Sequence, residues 1–111
     1  MNDELMQALQ AIFGQHVYPN IVPETVKPPF AWYEENAEPV LTFDGIAGYD
    51  TTLTISVVAQ TKAAAKALAD HTIRVLHGNS FGAARLILSR SECVPYPAER
   101  LTAYDLIFNI L

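Results

Sequence analysis

The residues able to do acid–base, metal or nucleophilic chemistry are few in this sequence. It contains three histidines and one cysteine, namely His16, His71, His77 and Cys93. His71 and His77 are six residues apart in one predicted helix, which places them on different sides, and none of the four stands at a metal-ligand spacing. No local motif gives the Cys93 thiol a base. We expect no metal, no cofactor and no catalytic residue, with Cys93 at a strand end and the helix histidines solvated.

Three acidic residues next to an aromatic pair resemble a sugar-cleaving site only in part. Glu34, Glu35 and Glu38 follow Trp32 and Tyr33. Glycosidases need two carboxyl groups that face each other across a cleft, whereas these three lie within five residues of chain. We therefore expect a solvated acidic turn.

Two glycines in "FDGIAGYD", Gly45 and Gly48, suggest a phosphate-binding loop only weakly. A phosphate loop continues with Gly-Lys-Ser/Thr at the start of a helix, and here an alternating strand pattern follows instead. The segment is better explained as a hairpin loop that begins with the Asp44-Gly45 turn signal.

The composition is that of one small globular domain, which we expect to span residues 1–111. Half of the residues are hydrophobic and only 17% are charged. Because this is little charge for an isolated surface, we expect a partner to cover some apolar area. The formal net charge of −5 has the wrong sign for a phosphate backbone, so nucleic-acid readout is not expected.

The sequence shows no pattern typical of a membrane-spanning segment or a secretion signal. The apolar runs are a few residues long, against the roughly 20 that span a bilayer, and the acidic amphipathic start lacks the features of a secretion signal. A single cysteine suits a reducing compartment. We expect neither a membrane partner nor export by the usual route.

Two segments have the period of amphipathic helices. Asp3–Phe13 has one apolar face, made of Leu5, Met6, Leu9, Ile12 and Phe13, and Gly14 provides a stop. The second helix lies in "TKAAAKALADHTIRVLHG", with Thr61 as N-cap and Gly78 just past the end.

The second helix has one apolar stripe, which we interpret as facing a sheet, although it could also bind a partner. The stripe contains Ala65, Leu68, Thr72, Val75 and Leu76. The remaining side carries three basic residues that we expect to be solvated, namely Lys62, Lys66 and Arg74.

The remaining segments predict strands. The clearest is Tyr49–Ala59, where Leu53, Ile55 and Val57 alternate with polar residues. Further strands are predicted at Val17–Ile21, Phe30–Glu35, Val40–Phe43, Ala83–Ser91 and Leu101–Leu111. The last has Tyr104, Leu106, Phe108 and Ile110 inward, and it pairs with its predecessor as an antiparallel hairpin across Pro95–Arg100. The expected fold is α+β, an antiparallel β-sheet with two α-helices packed on one face, in the order α-β-β-β-α-β-β.

The segment from Val17 to Gly45 contains five of the seven prolines together with Phe30, Trp32 and Tyr33. Prolines fix φ and hold the chain extended between Gln15 and Pro29, so little entropy is lost when such a segment binds. Trp and Tyr are common interface anchors. The aromatic residues could equally belong to the core. The candidate protein-interface residues are Tyr18, Pro19, Phe30, Trp32, Tyr33, Phe43, Asp44 and Tyr49.

The order of these features resembles the tail completion proteins of long-tailed bacteriophages. The shared pattern is a first helix, a Tyr-Pro pair with a second proline downstream, a Pro-aromatic strand opening, and an alanine-rich helix after a strand that ends in Thr. The matching residues are Tyr18, Pro19, Pro23, Pro29, Phe30, Thr61, Ala65, Leu68, Ala69 and Asp70. The segment from Ser80 to Arg100 has no counterpart in this pattern, which leaves the role of its "SECVPYPAER" turn open.

The resemblance implies a structural protein and not an enzyme. Such proteins form rings, usually hexameric, which cap the tail tube and join it to the head. The implied partners are other copies of the chain, the tail tube protein and the head-tail connector protein. The implied location is the virion tail, assembled in the cytoplasm of the bacterial host. The alternative hypothesis is a small soluble bacterial adaptor domain that binds an unidentified protein.

Overall fold

The computed structural model describes residues 2–19 and 27–111, and for Ile46, Ala47 and Tyr49 it describes the backbone alone. These residues form two helices and six strands. The elements are α1 (Asp3–Phe13), β1 (Val17–Pro19), β2 (Phe30–Thr42), β3 (Gly45–Ala59), α2 (Lys62–Leu76), β4 (Ser80–Phe81), β5 (Ala84–Tyr96) and β6 (Leu101–Ile110). The predicted α+β class is confirmed.

Helix α1 has the predicted bounds because both of its ends carry strong local signals. The Asn2 side chain accepts a hydrogen bond from the Leu5 N–H at 2.8 Å, which caps the first turn. Gly14 follows with φ of 66°, a left-handed conformation that a residue with a Cβ adopts at a cost. The helix buries Leu5, Leu9 and Phe13.

Helix α2 likewise begins after the predicted Thr61 cap, whose hydroxyl oxygen accepts from the Ala64 N–H at 3.1 Å. Its buried residues are Ala65, Ala69, Thr72 and Leu76, while Leu68 and Val75 are half-buried. The apolar stripe therefore faces the protein, as predicted, and Lys62, Lys66 and Arg74 are exposed.

The six strands lie in the order β1-β2-β3-β6-β5-β4. All neighbouring pairs are antiparallel except β1 with β2, so the sheet is mixed and the prediction of an antiparallel sheet was wrong at this edge. The prediction also missed β4, because two residues are too few for a periodic signal. Part of the predicted strand Val17–Ile21 and of the proline-rich connector lies outside the described residues.

Strand β2 runs without interruption through the segment that the sequence predicted to be an acidic turn. We expected two strands, Phe30–Glu35 and Val40–Phe43, but the residues from Phe30 to Thr42, including Pro39, pair with β3, and Phe43 lies in the turn. The described β1 pairs only with residues 31–33, so β2 is an edge strand at Pro39, where a missing N–H is tolerated. Strand β3 also starts at Gly45 instead of Tyr49, since the hairpin continues to a turn at Phe43 and Asp44.

Strands β5 and β6 form the predicted antiparallel hairpin, with Tyr104, Leu106 and Phe108 in the core cluster or packed on it. Strand β5 is longer than predicted and ends at Tyr96, because Pro95 again lies on an edge strand. Its register shifts between Leu88 and Arg90, which changes the side of the sheet that the following residues face.

The main core contains residues of both helices and of the sheet. Leu9 of α1 and Leu76 of α2 share a buried cluster with Leu53, Ile55 and Phe108 of β3 and β6. A second, smaller cluster contains Phe30, Val58 and Ala103, with Tyr18, Trp32, Val94 and Leu101 packed on it. Val58 alternates with Val57 along β3, so the second cluster lies on the opposite face of the sheet.

Candidate protein interface

The histidines and the cysteine do not converge. His16 Nδ1 lies 3.2 Å from the Tyr18 hydroxyl, and His77 Nδ1 accepts a hydrogen bond from the Leu88 N–H at 2.9 Å. Cys93 is exposed and lies within β5, and not at the end of a strand as we predicted. Its cross-strand partner is Tyr104. Within residues 2–19 and 27–111, no three His, Cys, Asp or Glu side chains are grouped so that they could hold a metal ion.

Tyr104 has a perturbed ionisation, which has a structural cause. Partial burial, followed by a hydrogen bond and charge interaction with Cys93, raises the pKa of the Tyr104 hydroxyl, and Asp70 adds to the rise while Lys66 opposes it. The tyrosine faces α2 across the end of the core. The raised pKa favours the neutral phenol in the folded protein.

The polar groups inside the sheet are satisfied. The Ser56 side chain is fully buried, and its hydroxyl donates a hydrogen bond of 2.7 Å to Asp105 Oδ1 on the neighbouring strand. No buried side-chain nitrogen or oxygen of the described residues lacks a partner. The region that the structure describes therefore contains no buried, unpaired polar side-chain atom of the kind that functional sites often hold.

The most distinctive surface is the outer part of the β2–β3 hairpin, which we call the arm (residues 38–50). Strand β6 pairs with β3 only as far as Thr51, and beyond that point the two hairpin strands pair with each other among the described residues. At the tip the Thr42 hydroxyl donates to the Gly45 carbonyl at 3.1 Å. An isolated two-stranded ribbon is marginally stable in water, so an arm of this kind gains from a further contact.

The arm exposes apolar side chains at its end. Phe43 is fully exposed, Leu41 is 74% exposed and Val40 is 39% exposed. The described residues include only two other exposed large hydrophobic side chains, Tyr96 and Leu111. Exposed apolar residues concentrated in one projection are typical of a protein-binding surface.

The arm and the hairpin that carries it also hold the whole net charge of the protein. Strands β2 and β3 and their turn contain five acidic residues and no base. The list is Glu34, Glu35, Glu38, Asp44 and Asp50. The other seven acidic residues of the chain are balanced by its seven lysines and arginines. Glu38 and Asp50 are direct cross-strand partners, an arrangement of like charges that destabilises a ribbon unless a positive group lies nearby.

A second candidate surface covers the smaller apolar cluster. Trp32 is half-buried on it, and together with Tyr96 and Leu101 it lines a shallow depression of about 270 Å³. Phe30 and Val58 form the floor and Glu99 stands at the side. Because Leu101 and Ala103 lie at the end of β6 that pairs with Ala59 and Val58, this surface and the arm are at opposite ends of the sheet.

The structure distributes the predicted interface residues over four places. Tyr18, Phe30 and Trp32 belong to the second cluster, with Phe30 itself 8% exposed. Phe43 and Asp44 form the tip of the arm. Tyr33 packs on the main core and Pro19 is exposed on the edge strand. The Tyr49 backbone lies in the arm, and its side chain is outside the description.

Sequence reasoning missed the contributions of Leu41, Tyr96 and Leu101 to these two surfaces. The signal for Leu41 was available, since a leucine three residues before the Asp of an Asp-Gly turn lies near the end of a hairpin built there. Tyr96 had no such signal, because the "SECVPYPAER" segment looked like a turn and its first six residues prove to be strand.

Two comparisons with known proteins match this chain, one by family and one by fold. Residues 5–101 match the family model described as Tail completion protein gp17. A chain in the solved structure titled "Virion of native gene transfer agent (GTA) particle" has the same fold, with a TM-score of 0.69 and 20% sequence identity over 96% of this chain and 90% of that chain. No curated protein matches the sequence.

Neither of the helices that the structure describes, α1 or α2, has the length and apolar character needed to cross a membrane. The family match extends from the first helix to the start of β6 and so covers most of the chain. It also includes the arm and most residues of the second cluster. The chain therefore belongs to the tail completion protein family of bacteriophages.

Proposed function

We propose that this protein is a non-enzymatic component of a phage or phage-like tail, which forms a closed homo-oligomeric ring at the end of the tail tube and helps to join the tail to the head. Membership of the tail completion family supports the tail assignment. A hexamer is the expected ring size, and the tail tube and connector proteins are the expected neighbours on its two sides.

The observation that carries the ring is the presence of two unlike exposed surfaces at opposite ends of an elongated subunit. The long axis of the protein measures 49 Å, and its radius of gyration of 14.9 Å exceeds the about 13 Å of a compact chain of this length. A ring uses a heterologous interface, in which one patch of each subunit binds a different patch of the next. The arm is one such patch, and the second cluster is a further exposed surface that a neighbouring subunit or tail protein can cover.

We also infer that both helices cover the same face of the sheet and leave the other face available for contacts. The residues that support this are those of the main cluster, where Leu9 and Leu76 meet Ile55 from one side of β3. Ser56 and Val58 alternate with these on β3, and the second cluster includes no helix residue among those described. An uncovered sheet face rich in aromatic residues suits a protein interface.

The test is the mass of the purified protein by light scattering at increasing concentration, alone and with tail tube protein. We expect a single closed oligomer. Phe43→Ser is expected to shift the protein toward monomer with an unchanged circular dichroism spectrum, whereas Gln10→Ala on the exposed side of α1 leaves the mass unchanged. A monomer at high concentration, even with tube protein present, would contradict the ring and favour the adaptor hypothesis.

A further inference from the structure

We propose that, in the ring, the arm of each copy lies along the outer side of α2 of the next copy. In this contact Asp44 at the tip lies near Lys62, and the Glu38 and Asp50 pair surrounds Arg74 of the second copy. The inference rests on the proposed homo-oligomer and adds which surface of the next subunit receives the arm.

The arm presents negative charge that its own chain does not neutralise. Glu38, Asp44 and Asp50 are exposed, and none of them forms an ion pair within the described residues. Glu38 and Asp50 oppose each other across the ribbon and line an open concave surface of about 590 Å³ at the base of the arm. The two carboxylates flank a space large enough for a guanidinium group, which can donate to both.

The outer side of α2 carries the complementary charge. Lys62 and Arg74 are exposed and form no ion pair with the described residues. Between them Lys66 and Asp70 pair with each other at 3.1 Å, so the middle of the helix is neutral. The exposed residues beside this stripe are small, namely Ala63, Ala64 and Ala67, which allows another backbone to approach closely.

The distance between the charged ends is similar on the arm and on α2. Lys62 and Arg74 are twelve residues apart on a helix, or about 18 Å at 1.5 Å per residue. The tip of the arm lies about five strand steps beyond Glu38, or about 17 Å at 3.3 Å per residue. Both charged ends can therefore engage at once, with Val40 and Leu41 of the arm over the neutral, alanine-rich middle of α2.

The geometry of one chain directs this contact to a second copy. Helix α2 packs on the part of the sheet that contains Leu53 and Phe108, whereas the arm begins beyond Thr51, where β6 ends. The arm thus extends away from the sheet on which its own α2 lies. Each subunit would give one arm and receive one, which is the pattern of a heterologous ring.

The test uses two sets of charge reversals at exposed positions. The arm variant carries Glu38→Lys, Asp44→Lys and Asp50→Lys, and the helix variant carries Lys62→Glu and Arg74→Glu. The control variant, Arg85→Glu with Arg90→Glu, has the same net charge as the helix variant but changes β5 instead. Circular dichroism and thermal melting check that all three are folded, and the dissociation constant of the oligomer is measured by sedimentation.

We expect the arm and helix variants each to weaken assembly about tenfold or more, and the control to weaken it less, because like charges then face each other at the contact. Wild-type assembly is expected to weaken with added NaCl. An equimolar mixture of the arm and helix variants should assemble again, since every arm then meets a helix of opposite charge in an alternating ring. The chain that carries all five reversals should also assemble.

The outcomes separate this inference from the ring itself. If the wild type assembles and the helix variant behaves like the control, the arm does not bind α2 and the ring stands. If the mixture and the variant with all five reversals both fail to assemble while the folded arm and helix variants are monomeric, charge pairing between the arm and α2 is also wrong. If the wild type never assembles, both the ring and the contact are refuted.

Discussion

The hairpin β2–β3 has two halves with the same backbone pairing and opposite surroundings. In the half that contains Leu53, Ile55 and Val57, every second side chain is fully buried under the helices. In the other half, the arm, Leu41 and Phe43 are apolar and exposed. Backbone hydrogen bonding is therefore shared by both halves, and it is the helices and neighbouring strands that make one half a core. The arm is left with apolar surface that only another molecule can cover.

The same comparison holds for charge. Along the helix-covered half of the hairpin the buried polar group Ser56 has a partner on β6, whereas Glu38 and Asp50 in the arm face each other without a positive group within the described residues. Native proteins satisfy the polar groups that they bury. Like charges held opposite each other on an exposed ribbon are consistent with a function in binding.

The largest expected difference between the two halves concerns two phenylalanines. Phe108→Ala should lower the free energy of unfolding by about 3–5 kcal/mol, because it opens a cavity in the main core. Phe43→Ala should change it by less than about 0.5 kcal/mol, since the ring is fully exposed. Urea denaturation of the monomer measures both. Comparable losses at the two positions would mean that the arm folds back onto its own chain.

Trp32 should lie between these extremes. The side chain is half-buried on the second cluster, so Trp32→Ala is expected to cost about 2 kcal/mol and to leave the protein folded at 25 °C. The substitution should also weaken assembly if the second cluster is an interface. Trp32→Phe, which keeps an aromatic ring, provides the matched control in both denaturation and light scattering. Complete unfolding of Trp32→Ala would assign the residue to the core.

A smaller effect is expected at the hydrogen bond between Ser56 and Asp105. Ser56→Ala removes the donor to Asp105 and should lower the free energy of unfolding by about 1 kcal/mol, since the carboxylate is half-buried and keeps access to water. Ser56→Thr, which retains the hydroxyl, is the control for the side-chain change. A neutral Ser56→Ala would show that water replaces the serine at no cost.

The smallest effect should appear only in alkali. The pKa of Tyr104 is raised above its usual value of about 10 by partial burial and by Cys93, so its neutral form is favoured in the folded state. Its contribution to stability is complete below about pH 10 and decreases as the pH rises through the folded pKa. Tyr104→Phe should lack this part of the alkaline decrease in melting temperature. Identical pH profiles would mean that the shift is absent.

Much of the fold could be predicted because its signals are local. The bounds of α1 followed from Gly14, and those of α2 from Thr61 and Gly78. The inward residues of β6 followed from strict alternation, and Tyr104, Leu106 and Phe108 lie in the core or pack on it. These predictions succeeded because capping and amphipathic periodicity act over a few residues.

Two of the errors share one physical cause, which is that the effect of a proline in a strand depends on the neighbouring strands. Pro39 lies between the two strands predicted for β2, and Pro95 lies in the predicted turn after β5, yet each proves to lie within a strand whose outer edge carries no described partner at that point. Whether a strand is at an edge depends on the whole sheet, so no local pattern could show it. The acidic turn and the early end of β5 were both predicted wrongly for this reason.

By itself, the sequence determined the α+β class, the two helices, the core alternation of the long strands and the likeness to a phage tail family. The tertiary structure alone decided which apolar residues remain uncovered. Phe43 and Phe108 are the same residue type, and both lie in or beside long strands, but only the second lies under a helix. Burial depends on contacts between segments that are distant in sequence. The same contacts place the acidic arm away from the basic side of α2, and this separation allows the proposed self-assembly to be tested by charge reversal.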